Sequence, residues 1–382
     1  METPRLGRRE VIRDSVVVGG AVALAGSLAA PGLARAAERT IDIPTENKIV
    51  RTITYFTDAP SDATIERLNG LSERLQAKGY TVQTIRVCSK STDIDRLTAQ
   101  LGDSAAALCV GKLSYLSARR QLKAFFAAPN TSFQIDLTDA TIGLEHVDFF
   151  RRIAAERPGH TFNFAYVFNN PQGSPFFPAA AYAREGFAVG LQPTNLSVGA
   201  TSVEEWLAAM RQCWTEIVRE FHRDRDFLGI DGPTAPFGAG AGSLIGFVKR
   251  LGFAFERSTT TSTYVTTTEF LRNHNPQPVG LNGLMLPCLE DSELTAEYDA
   301  GRFSVERNLF LSLHSGLGID TYPVGVDEDP ARMLEILRLT QALSNKHRKA
   351  LSVRFATDGV AAIGDRTNFQ SQYLTDCTVR PL

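Results

Sequence analysis

The sequence lacks the local patterns that identify most metal and hydrolase sites. Its six histidines are isolated, without H-x-x-x-H or H-E-x-x-H spacing, and its five cysteines are scattered and odd in number. Neither a zinc site built from neighbouring residues nor a disulfide framework is predicted, so mostly buried free thiols are expected. A phosphate-binding G-x-x-x-x-G-K-[ST] loop and a G-x-S-x-G nucleophile elbow are also missing. A catalytic triad would therefore have to be assembled from distant positions.

Charge of one sign and long apolar runs are equally scarce. The formal net charge is -2, and 43% of the residues are hydrophobic and 21% charged, as in ordinary globular proteins. Such a balance argues against a nucleic acid or an anionic membrane surface as the partner. Beyond the first 37 residues no stretch is long and apolar enough to cross a bilayer. The remaining expectation is a globular domain that takes a small-molecule ligand.

The amino-terminal segment predicts where the protein goes. Arg8 and Arg9 precede a weakly apolar stretch, rich in glycine and alanine, over residues 16–33, and an A-R-A sequence ends at Ala36. These features predict a twin-arginine signal, cleaved after Ala36, that leads through the twin-arginine translocase to the periplasm or the outside. A retained membrane anchor is the alternative. Because this route carries folded proteins, a cofactor or metal loaded before export stays an open question.

Strand and helix patterns alternate over residues 37–382 and predict one α/β domain. The stretch Ile49–Phe56, a helical pattern over Thr64–Ala77 and the stretch Thr81–Val87 form a β-α-β unit. Further strands are predicted at Ala105–Val110, Phe162–Phe168, Phe227–Asp231, Gly318–Val324 and Leu351–Phe355. Further helices are predicted at Asp93–Leu101, after the capping box at Ser202–Glu205, at Ser243–Leu251 and at Ala331–His347. The last stretch, Thr367–Leu382, has no strong pattern and is expected to wrap the surface or frame a neighbour.

Three of these segments carry an aspartate at or near the predicted carboxyl end of a strand: Asp58, Asp231 and Asp320. In parallel α/β folds the carboxyl ends of the strands form the ligand face. We therefore predict Asp231 and Asp320 as general bases or metal ligands. The alternative, favoured for Asp58, is that each carboxylate caps the following turn or helix.

Two further segments carry candidate ligand contacts. Gly238, Gly240 and Gly242 precede a helix and could offer backbone N–H groups to an anion, with close packing as the alternative. The threonine-rich run over residues 258–268 predicts either an extended wall of a polar cavity or an exposed strand or loop. The other residues predicted to orient or enclose a ligand are Thr234, Thr260, Thr261, Asn282, Phe176, Phe177 and Tyr182.

Seven segments, taken in chain order, resemble the DUF711 family, which is related to the UPF0210 family. The SPFFPAAAY and GIDGPTAP sequences are the most specific of them. Glu290 and Asp291 match an acidic pair of the family and are added to the catalytic candidates. The matching segments are Arg51–Asp58, Thr84–Ser89, Ser174–Tyr182, Gly229–Gly240, Gly280–Leu294, Ser315–Val324 and Val353–Gly359.

The resemblance implies a β/α barrel similar to that of pyruvate formate-lyase, the fold of glycyl radical enzymes. It does not imply radical chemistry, because Gly359 stands outside the loop sequence that such enzymes need. The chain also departs from the better-known members of the family. Its carboxyl-terminal end is shorter, and an export signal is added.

The function predicted from these features is that of an exported enzyme acting on a small polar or anionic metabolite. Hydrolytic, lyase or isomerase-type chemistry would take place at the carboxyl ends of the strands. The first alternative is a non-catalytic periplasmic protein that binds a metabolite or a metal. The second is a structural or assembly protein, and a homo-oligomer is an open alternative throughout.

Overall fold

The computed structural model describes residues 41–382, so the predicted signal over 1–36 lies outside the described residues. Within this range ten strands form one sheet. The strands are β1 Ile49–Thr57, β2 Thr81–Val82, β3 Ile85–Ser89, β4 Ala107–Leu113, β5 Thr131–Asp136, β6 Phe164–Phe168, β7 Gly186–Leu191, β8 Phe227–Asp231, β9 Gly318–Pro323 and β10 Leu351–Ala356. The helices are α1 Asp62–Gln76, α2 Ile94–Leu101, α3 Tyr115–Arg120, α4 Leu122–Ala127, α5 Leu144–Glu156, α6 Val203–Phe221, α7 Leu244–Arg250, α8 Phe255–Ser258, α9 Thr263–Asn273, α10 Ser292–Asp299, α11 Val305–His314 and α12 Pro330–His347.

The sheet contains two sets of strands that run in opposite directions. Its order is β8-β7-β1-β3-β4-β5-β6-β10-β9, and β2 pairs with the start of β1. Strands β1 to β6 are parallel to one another, whereas β7 is antiparallel to β1 and β10 is antiparallel to β6. Strand β8 is parallel to β7, and strand β9 is parallel to β10. No single edge of the sheet therefore collects the carboxyl ends of all strands, so Asp58, at the end of β1, lies at the opposite edge from Asp231.

The two outer strands, β8 and β9, do not pair directly. The segment 278–287 lies between them and makes isolated bridges, Ile230 with Pro278 on one side and Leu284 with Gly316 and Pro287 with Asp320 on the other. The predicted α/β class and single domain over the described residues are confirmed. The hydrogen-bonded ladder itself is open, so the barrel stays a prediction.

Most predicted elements form because their local signals agree with their packing. Ser202 caps α6 by accepting a hydrogen bond from the Glu205 N–H, and the apolar face of α6 buries Trp206 and Trp214 against the sheet. The predicted β-α-β unit is confirmed as β1, α1 and β3 with parallel pairing. The predicted strand Thr81–Val87 is divided into β2 and β3, which pair with β1 in one continuous register.

The threonine-rich run over 258–268 is helical over most of its length, so neither the extended nor the loop alternative is correct. Thr267 and Thr268 donate their hydroxyls to the carbonyls of Thr263 and Tyr264, four residues back, at 2.8 and 2.6 Å. Hydroxyl residues can satisfy themselves in this way on a helix that is held by packing. A local preference for strand structure was therefore overridden by tertiary contacts.

The five cysteines are all free and buried, as predicted. Cys88 on β3 and Cys109 on β4 are neighbours in the strand register and share a small apolar cluster with Phe56 and Ala188. This cluster lies on the other sheet face from the large core, to which the alternate residue Val87 belongs. Among the described residues no helix combines the length and hydropathy that a membrane span requires.

Candidate functional site

One cavity of about 890 Å³ lies where strands β1, β3, β4, β5 and β6 begin. These strands contribute residues at or near their amino ends, such as Arg51, Arg86 and Ser132. The oppositely directed strands β9 and β10 contribute Asp320 and Arg354 from their middles. Because the two strand sets oppose each other, the cavity collects charged side chains that a purely parallel sheet would place at different levels.

Three arginines and two carboxylates form a cluster in the wall of this cavity. Glu290 bridges two of the arginines: its Oε1 accepts from Arg354 Nη2 at 2.5 Å and its Oε2 from Arg51 Nη2 at 3.2 Å. Arg354 Nε also donates to Asp320 Oδ1 at 2.6 Å. Burial raises the pKa of Glu290 against the opposing effect of Arg354 and Arg51. Burial lowers the pKa of Arg354, but the negative charges of Asp320 and Glu290 outweigh this effect and raise it above its ordinary value. Arg354 therefore stays protonated.

Arg86 is the arginine of this cluster that has no carboxylate partner among residues 41–382. Its Nε donates to the Thr84 hydroxyl at 3.1 Å, and its guanidinium lies over the Phe177 ring at 4.8 Å. Burial and the nearby positive charge of Arg51 lower its pKa to about 9, which leaves it protonated at neutral pH. A protonated guanidinium that lines a cavity without a counter-charge is a site for an anionic ligand.

Each arginine of the cluster is backed by an aromatic ring. Arg51 lies 4.0 Å from the ring centroid of Phe237, and Arg354 lies 4.9 Å from that of Phe162. A ring over one face of a guanidinium stabilises the charge and fixes the plane in which its N–H groups point. The cluster is thus rigidly oriented before any ligand arrives.

β-Bulges place Arg51 and Asp320 in the cavity wall. Val50 pairs with Leu191 and Thr52 with Gly190, so Arg51 is an extra residue of β1. Strand β9 has an extra residue opposite Arg354, because the register skips between Ile319 and Tyr322. A bulge of this kind turns a side chain away from its regular direction and is frequent beside active sites.

The backbone next to Asp320 is strained as well. Thr321 has a φ of 39°, a region that β-branched residues avoid, and its buried hydroxyl has no hydrogen-bond partner. Asp320 itself uses only Oδ1 in a hydrogen bond, and its side chain keeps 19% of its surface exposed. Its Oδ2 has no hydrogen-bond partner among the described residues, so Asp320 is the carboxylate of the cluster that keeps an unpaired oxygen on a residue lining the cavity.

Asp231 lies at the same edge of the sheet but does not line the cavity. It is fully buried, and it accepts hydrogen bonds from the backbone N–H groups of Leu281 and Asn282 at 2.9 Å. Gly280 has a φ of 69°, and a Cβ there would lie 2.1 Å from Asp231 Oδ2. The carboxylate therefore fastens the 280–282 turn onto β8, as the capping alternative predicts.

Burial raises the pKa of Asp231 to about 6, against an ordinary value of about 3.9. A carboxyl that binds its proton more tightly when folded stabilises the fold below about pH 4 and loses that contribution as pH rises toward 6. We expect Asp231→Asn to remove this part of the pH dependence. The difference in unfolding free energy between wild type and variant should widen, by on the order of 3 kcal/mol, as pH falls from about 7 to 4.

Urea unfolding at several pH values measures this difference. Asp58→Asn, which replaces an exposed aspartate, is the matched control for the loss of a carboxylate and should change the free energy of unfolding by less than about 0.5 kcal/mol. A constant difference between wild type and Asp231→Asn across this pH range would contradict the assignment.

Asp291 is also fully buried and does not line the cavity. It accepts from the Ser243 hydroxyl at 2.6 Å and from the Leu244 N–H at 3.0 Å, and so holds the amino end of α7, where Ser243 is the capping residue. It also caps α10 by accepting from the Leu294 N–H at 3.3 Å. Burial raises its pKa to about 6. This single carboxylate therefore joins the amino ends of two helices.

The three glycines predicted as an anion cradle do not line the cavity. Gly238 donates its N–H to the Glu290 carbonyl and Gly240 to the Glu293 carboxylate, so both donors are already used. A Cβ at Gly242 would lie 1.9 Å from the Phe237 carbonyl oxygen. Close packing, the alternative considered for this segment, accounts for Gly242. Gly238 and Gly240 have open space where a Cβ would lie, and their φ values of 73° and 63° favour glycine instead.

The remaining predicted ligand contacts divide between the cavity and the framework. Phe176 and Phe177 line the cavity. Thr234 and Asn282 are buried and bond to backbone groups around Met285 and Gly232. The residues that lie away from the cavity lining are Thr234, Thr260, Thr261, Asn282 and Tyr182.

The carboxyl-terminal segment 368–374 closes one side of the cavity. The Tyr373 ring is stacked on Phe162 at 5.8 Å between centroids and lies 6.1 Å from Phe237. Asp376 and Asp358 hold its start by accepting the N–H groups of Phe369 and Asn368, both at 2.8 Å. The stretch that had no strong pattern in the sequence therefore frames the site.

The three arginines of the cluster are not among the site residues predicted from the sequence. Each lies in a segment that was predicted as a strand, in IVRTITYF, TIRV and LSVRF. A single charge inside a short apolar strand is the signal that could have revealed them, because burying a charge is costly unless it has a partner or a ligand. Residues 41–382 contain no group of three or more His, Cys, Asp or Glu side chains placed to hold a metal ion.

Comparison with known proteins adds the family. No curated protein matches the chain. The profile of the family described as Uncharacterised ACR (DUF711) matches residues 130–370, which is more than half of the chain and includes Glu290, Asp320 and Arg354. The chain therefore belongs to the DUF711 family.

Proposed function

We propose that this protein is an enzyme that binds a small organic anion at Arg86 and transfers a proton through Asp320. The observation that carries the proposal is the pairing pattern in the cavity wall. Arg51, Arg354 and Glu290 pair with one another, whereas among the described residues Arg86 has no carboxylate partner and one oxygen of Asp320 has no hydrogen-bond partner. A free cation and a free carboxylate oxygen in one cavity supply the means to hold an anion and to act on it.

The reaction classes that fit are hydrolysis, elimination and isomerisation, in which a carboxylate takes up or delivers a proton. Arg354 and Glu290 hold Asp320 in position, and their role is to orient it. Asp231 and Asp291, the other predicted catalytic residues, are assigned here to the framework because backbone groups occupy them.

A non-catalytic binding protein is the second candidate. It is favoured by the ion pair between Arg354 Nε and Asp320 Oδ1 at 2.6 Å, which already occupies one oxygen of the carboxylate that would transfer the proton. The two candidates differ in Asp320→Asn. An enzyme should lose turnover by about 10²- to 10⁴-fold with little change in ligand affinity, whereas a binding protein has no turnover to lose.

Anion binding is tested by a thermal-shift screen of organic anions, followed by calorimetric titration of those that stabilise the protein. We expect Arg86→Gln to weaken their binding by roughly 10- to 100-fold, because a charge-assisted hydrogen bond contributes about 1.5–3 kcal/mol. Arg86→Lys should retain part of the affinity, since it keeps the charge but not the planar fork.

Arg332→Gln is the control for the loss of an arginine, because this residue lies in an exposed ion pair with Glu306. It should leave anion binding unchanged. If Arg86→Gln and Arg332→Gln bind anions equally well, the assignment of Arg86 is wrong.

We further propose that the protein is exported through the twin-arginine translocase by residues 1–36 and acts in the periplasm or outside the cell. The RR pair, the mild apolar stretch and the A-R-A sequence support this. We also propose that the fold is a barrel of the pyruvate formate-lyase type. The segment 278–287, which bridges to both outer strands, supports that closure.

A further inference from the structure

We infer that the cavity selects a monocarboxylate carried on an apolar body over dianions and over inorganic anions. This inference rests on the anion-binding function proposed above and specifies its ligand. Three features carry it: the charge count around Arg86, the shape of the free donor group, and the composition of the cavity wall.

The charge count favours a single negative charge. Arg51 and Arg354 are paired with Glu290 and Asp320, so Arg86 is the cation that a ligand can neutralise. The one other charged residue that the described chain contributes to the lining is Asp358, which is negative and accepts backbone N–H groups from Val360, Ala361 and Asn368. The lining formed by residues 41–382 therefore offers a ligand no second unpaired positive charge. A second negative charge on the ligand would lie near carboxylates without a free cation to offset it, which is costly in a poorly solvated cavity.

The donor group suits a carboxylate. Arg86 presents a planar fork whose Nε is taken by the Thr84 hydroxyl and whose face is covered by the Phe177 ring. The two terminal nitrogens are left to donate along the edge of the plane. Two parallel N–H groups on one edge match the two oxygens of a carboxylate.

The apolar side chains in the cavity wall favour a ligand that carries an apolar portion as well as a negative charge. Phe162, Phe176, Phe177, Phe237 and Leu286 contribute apolar surface to it. A volume of about 890 Å³ lies in the range of pockets that enclose drug-sized molecules, far above what an inorganic anion fills. An apolar portion of the ligand would cover these rings and gain from leaving water.

The test compares four probes on the full-length protein by calorimetric titration near pH 8. The probes are 3-phenylpropionate, its neutral amide, phenyl phosphate and acetate. Phenyl phosphate is a dianion there because its second pKa is about 6. We expect 3-phenylpropionate to bind at least about tenfold more tightly than each of the other three, and Arg86→Gln to reduce its affinity to that of the amide.

Asp320→Asn sharpens the comparison, because it removes one negative charge while retaining an oxygen that can accept from Arg354. It should narrow the preference for 3-phenylpropionate over phenyl phosphate by about tenfold. Wild-type protein that binds phenyl phosphate more tightly would overturn the monocarboxylate class but leave anion binding at Arg86 intact. Probes that bind equally with and without a charge would overturn both proposals. If acetate binds as tightly as 3-phenylpropionate, the requirement for an apolar portion of the ligand is wrong, whereas the preference for a monocarboxylate stands.

Discussion

Arg354→Met is expected to destabilise the protein by about 3–5 kcal/mol near pH 8. Arg354 and Glu290 keep only 8% and 9% of their side-chain surface exposed, and Arg354 is the hydrogen-bond partner that Glu290 and Asp320 share. Removing it leaves carboxylates in the cavity wall without that counter-charge. Breaking one partner of a buried ion pair costs more than the pair contributes, because the remaining charge stays poorly solvated.

The loss should shrink as pH falls. Removing Arg354 takes away a positive charge that opposes the effect of burial on Glu290. The pKa of Glu290 then rises further above its ordinary value, so the folded state binds a proton there more tightly. The stability of the variant relative to wild type therefore falls as pH rises above about 4, and it is recovered as Glu290 becomes protonated. Urea denaturation at about pH 5 and pH 8 measures both values.

Arg332→Met is the matched control, since Arg332 pairs with the exposed Glu306 and Glu335. Exposed pairs contribute little, so its cost should stay below about 1 kcal/mol at either pH. Arg354→Met with a loss as small as that of the control would show that the cluster is not held together as described.

Asp291→Ala is expected to destabilise the protein by about 4 kcal/mol. The substitution removes the acceptor of the Ser243 hydroxyl and of the Leu244 and Leu294 N–H groups, all of them buried. Helix α10 loses its cap, and α7 loses the acceptor that holds its capping residue Ser243 and its first N–H group. Denaturant unfolding followed by circular dichroism gives the free energy.

Asp329→Ala provides the comparison, because Asp329 caps α12 alone, at an exposed site, through the Ala331 N–H. It should cost only about 1 kcal/mol. A catalytic Asp291 would instead show a small loss of stability and a large loss of turnover in Asp291→Asn. That result would return Asp291 to the catalytic residues.

Much of the framework was determined by the sequence because it depends on neighbours along the chain. The β-α-β start, the capped helix after Ser202 and the final strand carry periodic apolar residues and caps that only one local structure satisfies. Glu290, predicted from the acidic pair of the family, and Asp320, predicted from its position near the end of a strand, both line the cavity. Phe176 and Phe177 were likewise predicted as walls and do line the cavity.

The chemistry of the site was decided by the tertiary structure. The reversal of β7 to β10 brings Asp320 and Arg354 level with Arg51 and Arg86, and no local pattern announces which strands will reverse. Whether a strand-end carboxylate acts on a ligand or caps a turn depends on which distant N–H groups reach it, as the contrast between Asp231 and Asp320 demonstrates. A charge becomes available for binding only where the fold leaves it without a partner, and partners are set by contacts between residues far apart in the chain.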